Sequence, residues 1–201
     1  MKKLVIIGAS GHGRVVADIA KLLGYNKIIF LDDNESIKEC GIYPVIGKSM
    51  IAENLDGDIF VAIGNTKIRR KIIQNLSTKR LVTLIHPKAI IAEDTQIGKG
   101  TVIMAGVVVN SGVVIGDGVI LNTSCSVDHD CRIGNYSHIS VGSHIAGTVN
   151  IGESCWLGIG SIVSNNINIC DGSVIGAGAV VVRNIDNPGI YIGVPAVKHQ
   201  V

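Results

Sequence analysis

A six-residue repeat is the feature that most restricts how this chain can fold. From Ile85 to Ile175, every sixth residue is Ile, Leu or Val, which gives sixteen consecutive matches. This period fits neither the 3.6-residue period of an α-helix nor the two-residue alternation of a strand. It fits a solenoid in which each straight side takes one hexad. Three hexads then form a triangular coil of about 18 residues, and coils stack at about 4.8 Å with the aliphatic residue inside.

Two further positions of the hexad agree with this interpretation. Gly directly follows the aliphatic residue in six hexads, and we expect it to permit a turn backbone that a Cβ would hinder. The fifth position of the hexad is mostly small, and it holds Cys125, Cys131 and Cys155. Because the chain has five cysteines and no CxxC pair, we expect reduced thiols that fill space inside the solenoid.

The first 84 residues have a different pattern. An apolar strand, KLVIIG, precedes a glycine-rich turn and an amphipathic helix, and a second strand, KIIFLDD, ends in two carboxylates. A third strand, DIFVAIGN, precedes the helical segment TKIRRKIIQNL. This order predicts an α/β half-Rossmann domain over residues 1–84. A parallel β-helix domain with a C-terminal tail is predicted over residues 85–201.

The glycine-rich turn predicts a nucleotide site, because glycines allow close approach and a helix N-terminus favours phosphate. The spacing is GxxGxG rather than the GxGxxG of dinucleotide enzymes, and about 80 residues make only half of a dinucleotide fold. A mononucleotide or a nucleotide sugar therefore fits better than NAD. The predicted nucleotide-sugar site consists of Gly11, His12, Gly13, Asp32, Asp33, Gly64 and Asn65.

The hexads from about residue 85 to 183 closely resemble those of the hexapeptide-repeat acyltransferases. Together with the GASGHG turn, the chain resembles bacterial nucleotide-aminosugar N-acetyltransferases and the related sialic acid O-acetyltransferases. The resemblance implies a left-handed β-helix and a homotrimer with active sites between neighbouring subunits. It also implies acetyl-CoA as co-substrate and a UDP-linked amino sugar as acceptor.

Acetyl transfer to an amine needs a base and a donor that faces the developing oxyanion. No GxSxG elbow is present, so direct attack by the acceptor is expected. His129 lies outside the inward register between Asp128 and Asp130, and a carboxylate can orient an imidazole and raise its basicity. The resemblance implies that His129 is the base and that Asp130 is its partner.

Position counting adds Gly147, which follows His129 by 18 residues and should lie one coil above it. Its backbone N–H could then meet the acetyl carbonyl. His138 follows by nine residues, so it should lie on another face and reach the site of His129 only from a neighbouring subunit. The resemblance implies that it contacts acetyl-CoA. A further polar candidate is Asn122, and the resemblance places Gly193, Pro195 and Ala196 near the pantetheine.

Composition excludes several other classes of function. The net charge is +2 without a basic run, which argues against a nucleic-acid partner. Apolar stretches fall short of the roughly 20 residues of a membrane span, and we expect a cytoplasmic protein. The histidines show neither HxH nor HxxxH spacing, and this chemistry needs no metal, so no metal site is predicted.

The leading hypothesis is an acetyl-CoA-dependent N-acetyltransferase that acts on the 4-amine of a UDP-linked amino-deoxy sugar for glycan biosynthesis. Two enzyme alternatives stay open, a sialic acid O-acetyltransferase and a GDP-aminosugar N-acetyltransferase. The non-enzyme alternative is a structural or carrier β-helix protein, which the His129–Asp130 pair disfavours. The sequence does not decide the acceptor.

Overall fold

The computed structural model describes residues 2–77 and 79–199, and it separates into two compact units. The first unit spans Met1–Pro87 and the second spans Lys88–Val201.

The first unit is built on a three-stranded parallel sheet, in which β1 (Lys3–Ile7) lies between β2 (Lys27–Leu31) and β5 (Asp58–Val61). Its central strand is a continuous apolar run that is almost completely buried, as expected for a sheet that is covered on both faces. The elements are β1 Lys3–Ile7, α1 Gly11–Leu22, β2 Lys27–Leu31, β3 Glu39–Cys40, β4 Tyr43–Pro44, a 3-10 helix Ser49–Asn54, β5 Asp58–Val61, α2 Thr66–Gln74 and β6 Leu84–Ile85.

The glycine-rich turn connects β1 to α1, which begins at Gly11 after Ser10 as N-cap residue. Gly13 packs directly against the end of the strand, since a Cβ at this position would lie 2.2 Å from the carbonyl oxygen of Gly8. The absence of a side chain at Gly13 therefore allows the helix to approach the strand closely, and this role needs no ligand.

The second unit is a parallel β-helix with three faces, which has six coils in the described part of the chain. The first face contains β7 Ile90–Ile91, β10 Val108–Val109, β13 Ser126–Val127, β16 His144–Ile145, β19 Ile162–Val163 and β22 Val180–Val181. The second contains β8 Gln96–Ile97, β11 Val114–Ile115, β14 Arg132–Ile133, β17 Asn150–Ile151 and β20 Asn168–Ile169. The third contains β9 Val102–Ile103, β12 Ile120–Leu121, β15 His138–Ile139, β18 Trp156–Leu157, β21 Val174–Ile175, β23 Ile190–Ile192 and β24 Val197–Lys198.

The interior of the coils follows the hexad pattern. From Ile103 onwards the aliphatic residues form buried columns, and from Thr101 onwards the residues of the fifth position are buried beside them, including the three cysteines that the sequence places there. Hydroxyls and thiols at this position donate to the carbonyl group 15 residues further on. Ser143 Oγ donates to Gly158 O at 2.8 Å, and Cys131 Sγ donates to Ala146 O at 3.1 Å. Burial raises the pKa of the Cys131 thiol, which keeps it protonated as a donor.

The structure corrects the role that the sequence suggested for the glycine after each aliphatic residue. Positive φ angles occur two residues after that glycine, at a position held by Gly or by other residues such as Asp130 and Asn166. The glycine itself is required by coil stacking. At Gly134, a Cβ would lie 2.4 Å from the carbonyl carbon of Gly152 in the next coil. The prediction that this glycine permits a turn backbone is therefore wrong. Glycine recurs at this position because neighbouring coils pack closely against it.

Candidate active site

The turn between β13 and β14 presents His129 on the outside of the β-helix. Asp130 has a φ of 58°, and the Nδ1 of His129 lies 2.8 Å from the Oδ2 of Asp130. This hydrogen bond raises the pKa of His129, and the carboxylates of Asp128 and Asp130 act in the same direction. In the neutral ring, donation from Nδ1 to a carboxylate leaves Nε2 as the proton acceptor. The pair therefore presents a basic Nε2 to solvent.

Asp128 holds the same turn from its other side. Its Oδ1 accepts a hydrogen bond from the backbone N–H of His129 at 2.8 Å and another from the Nδ2 of Asn110 at 2.8 Å. These two hydrogen bonds hold the pKa of Asp128 below its usual value, with the bond from Asn110 contributing most. Asp128 thus supports the backbone of His129, while Asp130 orients the imidazole.

Gly147 lies one coil from His129, where position counting places it. The Thr148 N–H donates to the His129 carbonyl at 2.9 Å. A Cβ on Gly147 would lie 2.5 Å from the Nε2 of His129, so any side chain here would press on the basic nitrogen. Within residues 2–77 and 79–199, the Gly147 N–H donates to no protein acceptor. The basic nitrogen of His129 therefore lies against Gly147, whose N–H is available to a ligand.

His138 belongs to β15 on the third face, whereas His129 follows a strand of the first face. One chain thus places these two histidines on different faces, as the nine-residue spacing predicts. The Nε2 of His138 lies 3.2 Å from the Nδ2 of Asn122. The ring of Trp156 stacks on it with a centroid distance of 6.1 Å and an interplanar angle of 6°. The Trp156 indole also donates to Ser140 Oγ at 2.9 Å.

The strands of the C-terminal hairpin extend the third face, and its turn packs on β22, the last strand of the first face. Val180 N–H donates to the Gly193 carbonyl at 3.1 Å, and Ala196 N–H donates to the Val180 carbonyl at 2.7 Å. Pro195 follows Val194 through a cis peptide bond in the turn of this hairpin. Val180 lies on the same face as Ser126, three coils or about 14 Å further on. The predicted pantetheine contacts therefore lie at the end of the face that carries Ser126.

The first unit contains a cleft of about 360 Å³ at the carboxyl ends of its parallel strands, which is where α/β folds bind ligands. A neighbouring cleft of about 630 Å³ shares Asp33, Ser49, Ile68 and Ile72 with it. The first cleft is lined by Ile7, Gly8, Ser10, Asp32, Asp33, Ser49, Ala62, Ile63, Gly64, Ile68 and Ile72.

Both aspartates of this cleft already hold protein loops. Asp32 accepts the Ala9 N–H at 2.8 Å and thereby fixes the glycine-rich turn to the end of β2. Asp33 accepts both the N–H and the hydroxyl of Ser49 at 2.8 Å. A sugar or ribose hydroxyl would use the remaining lone pairs of these carboxylates. Their predicted role in binding stays a prediction.

Among the remaining predicted residues of this unit, Asn65 has a structural role, whereas Gly11 and Gly64 are not required by packing. Asn65 caps α2 by accepting the Ile68 N–H at 3.1 Å. A Cβ on Gly64 would meet no protein atom within 4 Å, and one on Gly11 would only reach the Arg14 guanidinium at 4.0 Å. The packing of the chain therefore leaves Gly11 and Gly64 open, which suits close approach by a ligand.

His12 lies in the first turn of α1, and its surroundings keep the imidazole neutral. Burial and the positive charge of Arg69 lower the pKa of His12 to about 4. Arg69 is completely buried, and its Nη1 donates to the carbonyls of Ile63 and Gly64 at 2.7 and 2.9 Å. Burial lowers the pKa of this guanidinium to about 10. Arg69 therefore shapes the loop that lines the cleft.

Sequence reasoning did not identify Arg69 or Trp156. One signal for Arg69 was available, because it precedes the buried Ile73 by four residues and must share its helix face. A signal for Trp156 was available too, because it follows His138 by 18 residues and position counting therefore places it one coil above, where β15 pairs with β18. Within the described ranges, no group of three His, Cys, Asp or Glu side chains is arranged to hold a metal ion. In the same ranges, no helix is long and apolar enough to span a membrane.

Comparison with known proteins relates these features to a family. Residues 3–76 match the family described as the PglD N-terminal domain. The chain is 42% identical to the acetyltransferase domain of PglB from Neisseria gonorrhoeae FA1090, solved in complex with acetyl coenzyme A. This similarity covers 98% of the chain and 99% of that domain, with a TM-score of 0.94. The chain belongs to the hexapeptide-repeat sugar N-acetyltransferases.

Two further members of this family are informative. The chain is 35% identical to a mutant of perosamine N-acetyltransferase from Caulobacter crescentus, solved with CoA and GDP-perosamine. That match covers 100% of the chain and 98% of the solved structure, with a TM-score of 0.93. UDP-N-acetylbacillosamine N-acetyltransferase of Bacillus subtilis (strain 168) is 32% identical over 109 residues, which is half of this chain and half of that protein. The family uses acetyl-CoA as acetyl donor, and its fold is the left-handed parallel β-helix behind an α/β domain.

Proposed function

We propose that this protein transfers the acetyl group of acetyl-CoA to the 4-amine of a UDP-linked amino-deoxy sugar, as a step in bacterial glycan biosynthesis. The observation that carries the proposal is the exposed His129–Asp130 pair with Gly147 against its Nε2. A structural β-helix has no need for an oriented imidazole on its surface. It also has no need for a glycine that keeps the basic nitrogen accessible.

In the proposed reaction, the neutral amine of the sugar attacks the thioester carbonyl while Nε2 of His129 takes the amine proton. The hydrogen bond to Asp130 stabilises the imidazolium that forms. The tetrahedral intermediate collapses with cleavage of the C–S bond, and the proton on His129 passes to the departing thiolate of CoA. No acyl-enzyme is needed, because the acceptor attacks directly.

The Gly147 N–H is the proposed donor to the oxyanion of the intermediate. Gly147 lies against Nε2, and its N–H has no acceptor within the described part of the chain. A backbone N–H that is fixed between two coils costs no reorganisation when charge develops on the carbonyl oxygen.

The acceptor is proposed to bind through its nucleotide in the cleft of the first unit, where Gly64 lines the space and a Cβ on it would meet no protein atom. Gly11 and His12 do not line this cleft, and their proposed contact with the nucleotide rests on their place at the start of α1. UDP is our choice of nucleotide because the Bacillus subtilis relative is named for a UDP-linked sugar. The Caulobacter crescentus relative was solved with GDP-perosamine, so a GDP-linked amino sugar is the second candidate. We also propose that the reaction takes place in the cytoplasm.

We also propose a homotrimer in which His138 of one subunit contacts acetyl-CoA beside His129 of its neighbour. Within one chain these residues lie on different faces, so only another copy can bring them together. Gly193, Pro195 and Ala196 would contact the pantetheine, and Asn122 would hold His138 in place.

A thiol-release assay with acetyl-CoA and a panel of acceptors tests the function. The panel contains UDP- and GDP-linked 4-amino sugars, free sialic acid and serine. We expect release of CoA with a UDP-linked amino sugar and a product that is heavier by one acetyl group. Activity with the GDP-linked sugar alone would replace UDP with GDP as the nucleotide of the proposed acceptor. Activity with sialic acid alone would replace N-acetylation with O-acetylation, and a silent panel would contradict the proposal.

A further inference from the structure

The outward-facing side chains of the first face form a row that changes from aliphatic to polar near the candidate active site. Its side chains are Ile90, Val108, Ser126, His144, Ile162 and Val180, one from each coil. Four of the six are aliphatic, and the two polar residues are adjacent. The Oγ of Ser126 lies 2.9 Å from the Nδ1 of His144.

These two polar residues lie in the same coils as the proposed catalytic groups. His129 follows Ser126 by three residues, and Gly147 follows His144 by three. Ser126 and His144 are partners in the pairing of β13 with β16. Ser126 therefore lies in the coil of His129 and His144 in the coil of Gly147, and each of the two is separated from its catalytic neighbour by one short turn.

A groove of about 270 Å³ runs beside the pair. Its polar lining comes from Asn110, Ser126, Asp128 and His144, and its apolar lining includes Ala146 and Ile162. The Nδ2 of Asn110 donates to Asp128, which in turn holds the backbone of His129. The groove thus offers a hydroxyl, an imidazole, an amide and a carboxylate within one small space.

The two ends of the groove suit different ligands. Toward the C-terminal hairpin, the row continues with Ile162 and Val180, which suit the largely apolar arm of the donor. Toward the N-terminal coils, Asn110, Ser126 and Asp128 provide closely spaced donors and acceptors, which suit a hydroxylated ring. One more argument is the Nε2 of His144, which stays available for a ligand because Nδ1 is used by Ser126.

We propose that Ser126 and His144 bind a ring hydroxyl of the acceptor sugar and hold its amine at Nε2 of His129. This assignment rests on the proposed function and adds a specificity-determining pair to it. The pair contacts the sugar rather than the nucleotide, and it selects sugars that carry a hydroxyl at this position.

Kinetics of Ser126→Ala, His144→Ala and the double variant test the assignment. Losing a hydrogen bond to a neutral hydroxyl should raise the KM of the acceptor about five- to tenfold, with the KM of acetyl-CoA unchanged. Because both residues act on one hydroxyl, the rise in the KM of the acceptor in the double variant should be well below the product of the rises in the two single variants. His144→Gln, which retains a donor and an acceptor, should recover part of the loss. An acceptor analogue that lacks the hydroxyl should be insensitive to all of these changes.

Asn150→Ala is the matched control. The Nδ2 of Asn150 donates to the Oδ1 of Asn168 at 2.9 Å, which is an equivalent bond between coils on the second face. We expect this variant to keep wild-type kinetics. If the KM of the acceptor is unchanged in Ser126→Ala and His144→Ala, or if only the KM of acetyl-CoA rises, the assignment is overturned.

Titration calorimetry with the nucleotide sugar separates failure of the inference from failure of the function. A wild-type protein that binds the sugar without acetylating it, with weaker binding in both variants, would support the pair and contradict the reaction. A wild-type protein that neither binds nor acetylates any sugar in the panel would overturn both.

Discussion

At the residue scale, the proposed chemistry depends on how three neighbours act on one imidazole. Asp130 fixes the ring through Nδ1, Asp128 holds its backbone, and Gly147 leaves space at Nε2. His129 and Asp130 are both well exposed, at 55% and 66% of their side chains. The pair therefore acts mainly through orientation and local charge, since solvent screens its interaction.

The pH dependence of activity should report the contribution of Asp130. The hydrogen bond raises the pKa of His129, and the imidazole must be neutral to accept a proton. Activity is therefore lost as the pH falls through this raised pKa. In Asp130→Asn the carboxylate charge is gone, so the pKa of His129 falls and the acid limb of kcat/KM moves to lower pH. A profile of the variant that keeps the wild-type acid limb, or moves it to higher pH, would contradict this role.

Gly147→Ala should lower kcat with little effect on folding. The new Cβ would lie 2.5 Å from Nε2, and the nearest atoms belong to the His129 side chain, which can rotate away. Gly147 does not have a positive φ, so alanine fits the backbone. We expect a loss of kcat of at least about tenfold, with a thermal midpoint close to that of wild type. Normal kcat would show that the space above His129 is not needed.

The sequence predicted where residues lie in the β-helix, because hexad counting converts spacing into position, while their roles in a site stay predictions. It placed Gly147 above His129 and put His138 on another face. The same counting places His144 one coil above Ser126 and Trp156 one coil above His138, but it does not predict the hydrogen bond or the ring stacking between them. Those contacts depend on rotamers of side chains from neighbouring coils, which spacing alone leaves undetermined.

At the element scale, one hexad carries two different backbone requirements. The position three residues after the aliphatic residue takes a positive φ, and glycine shares this position with Ser, Asp, Asn, Thr and Tyr. The position directly after the aliphatic residue packs against the next coil. The sequence showed that glycine recurs there, but the reason becomes visible only when coils are stacked.

Two alanine substitutions separate these requirements. In Gly134→Ala the Cβ would meet backbone atoms of the next coil at 2.4 Å, which cannot move away independently. We expect a loss of about 3 kcal/mol in the free energy of unfolding. In Gly178→Ala the φ is 67° but no protein atom lies within 4 Å, so the loss should be about 1 kcal/mol. Chemical denaturation of both variants measures the difference, and equal losses would contradict coil stacking as the reason for glycine at position 134.

At the scale of the whole molecule, the proposed site needs two copies of the chain. Light scattering should give three times the 21.1 kDa chain mass. Co-expression of His129→Ala with His138→Ala, each carrying a different tag, should produce mixed trimers that contain some intact sites. We expect these mixed trimers to be more active than either variant alone. Mixed trimers without recovered activity would show that His129 and His138 do not share a site across subunits.

The overall architecture was largely predictable, since the repeat sets the β-helix and the strand–turn–helix order sets the α/β unit. The left hand of the β-helix came from family resemblance, because the usual crossover preference favours the opposite hand. In the α/β unit, the glycine turn and the two carboxylates were visible in the sequence. The buried Arg69 that shapes the opposite loop was not identified, because a basic residue on a short helix usually faces solvent.

The central claim is that His129 takes the amine proton, and kcat of His129→Ala with the preferred amino sugar tests it most directly. General-base catalysis contributes about 10²–10⁴-fold, so we predict a fall of kcat in that range. The affinity for acetyl-CoA, measured by calorimetry on the same preparation, should stay close to wild type. A kcat that remains within about threefold of wild type would contradict the account, because another group would then have to accept the proton.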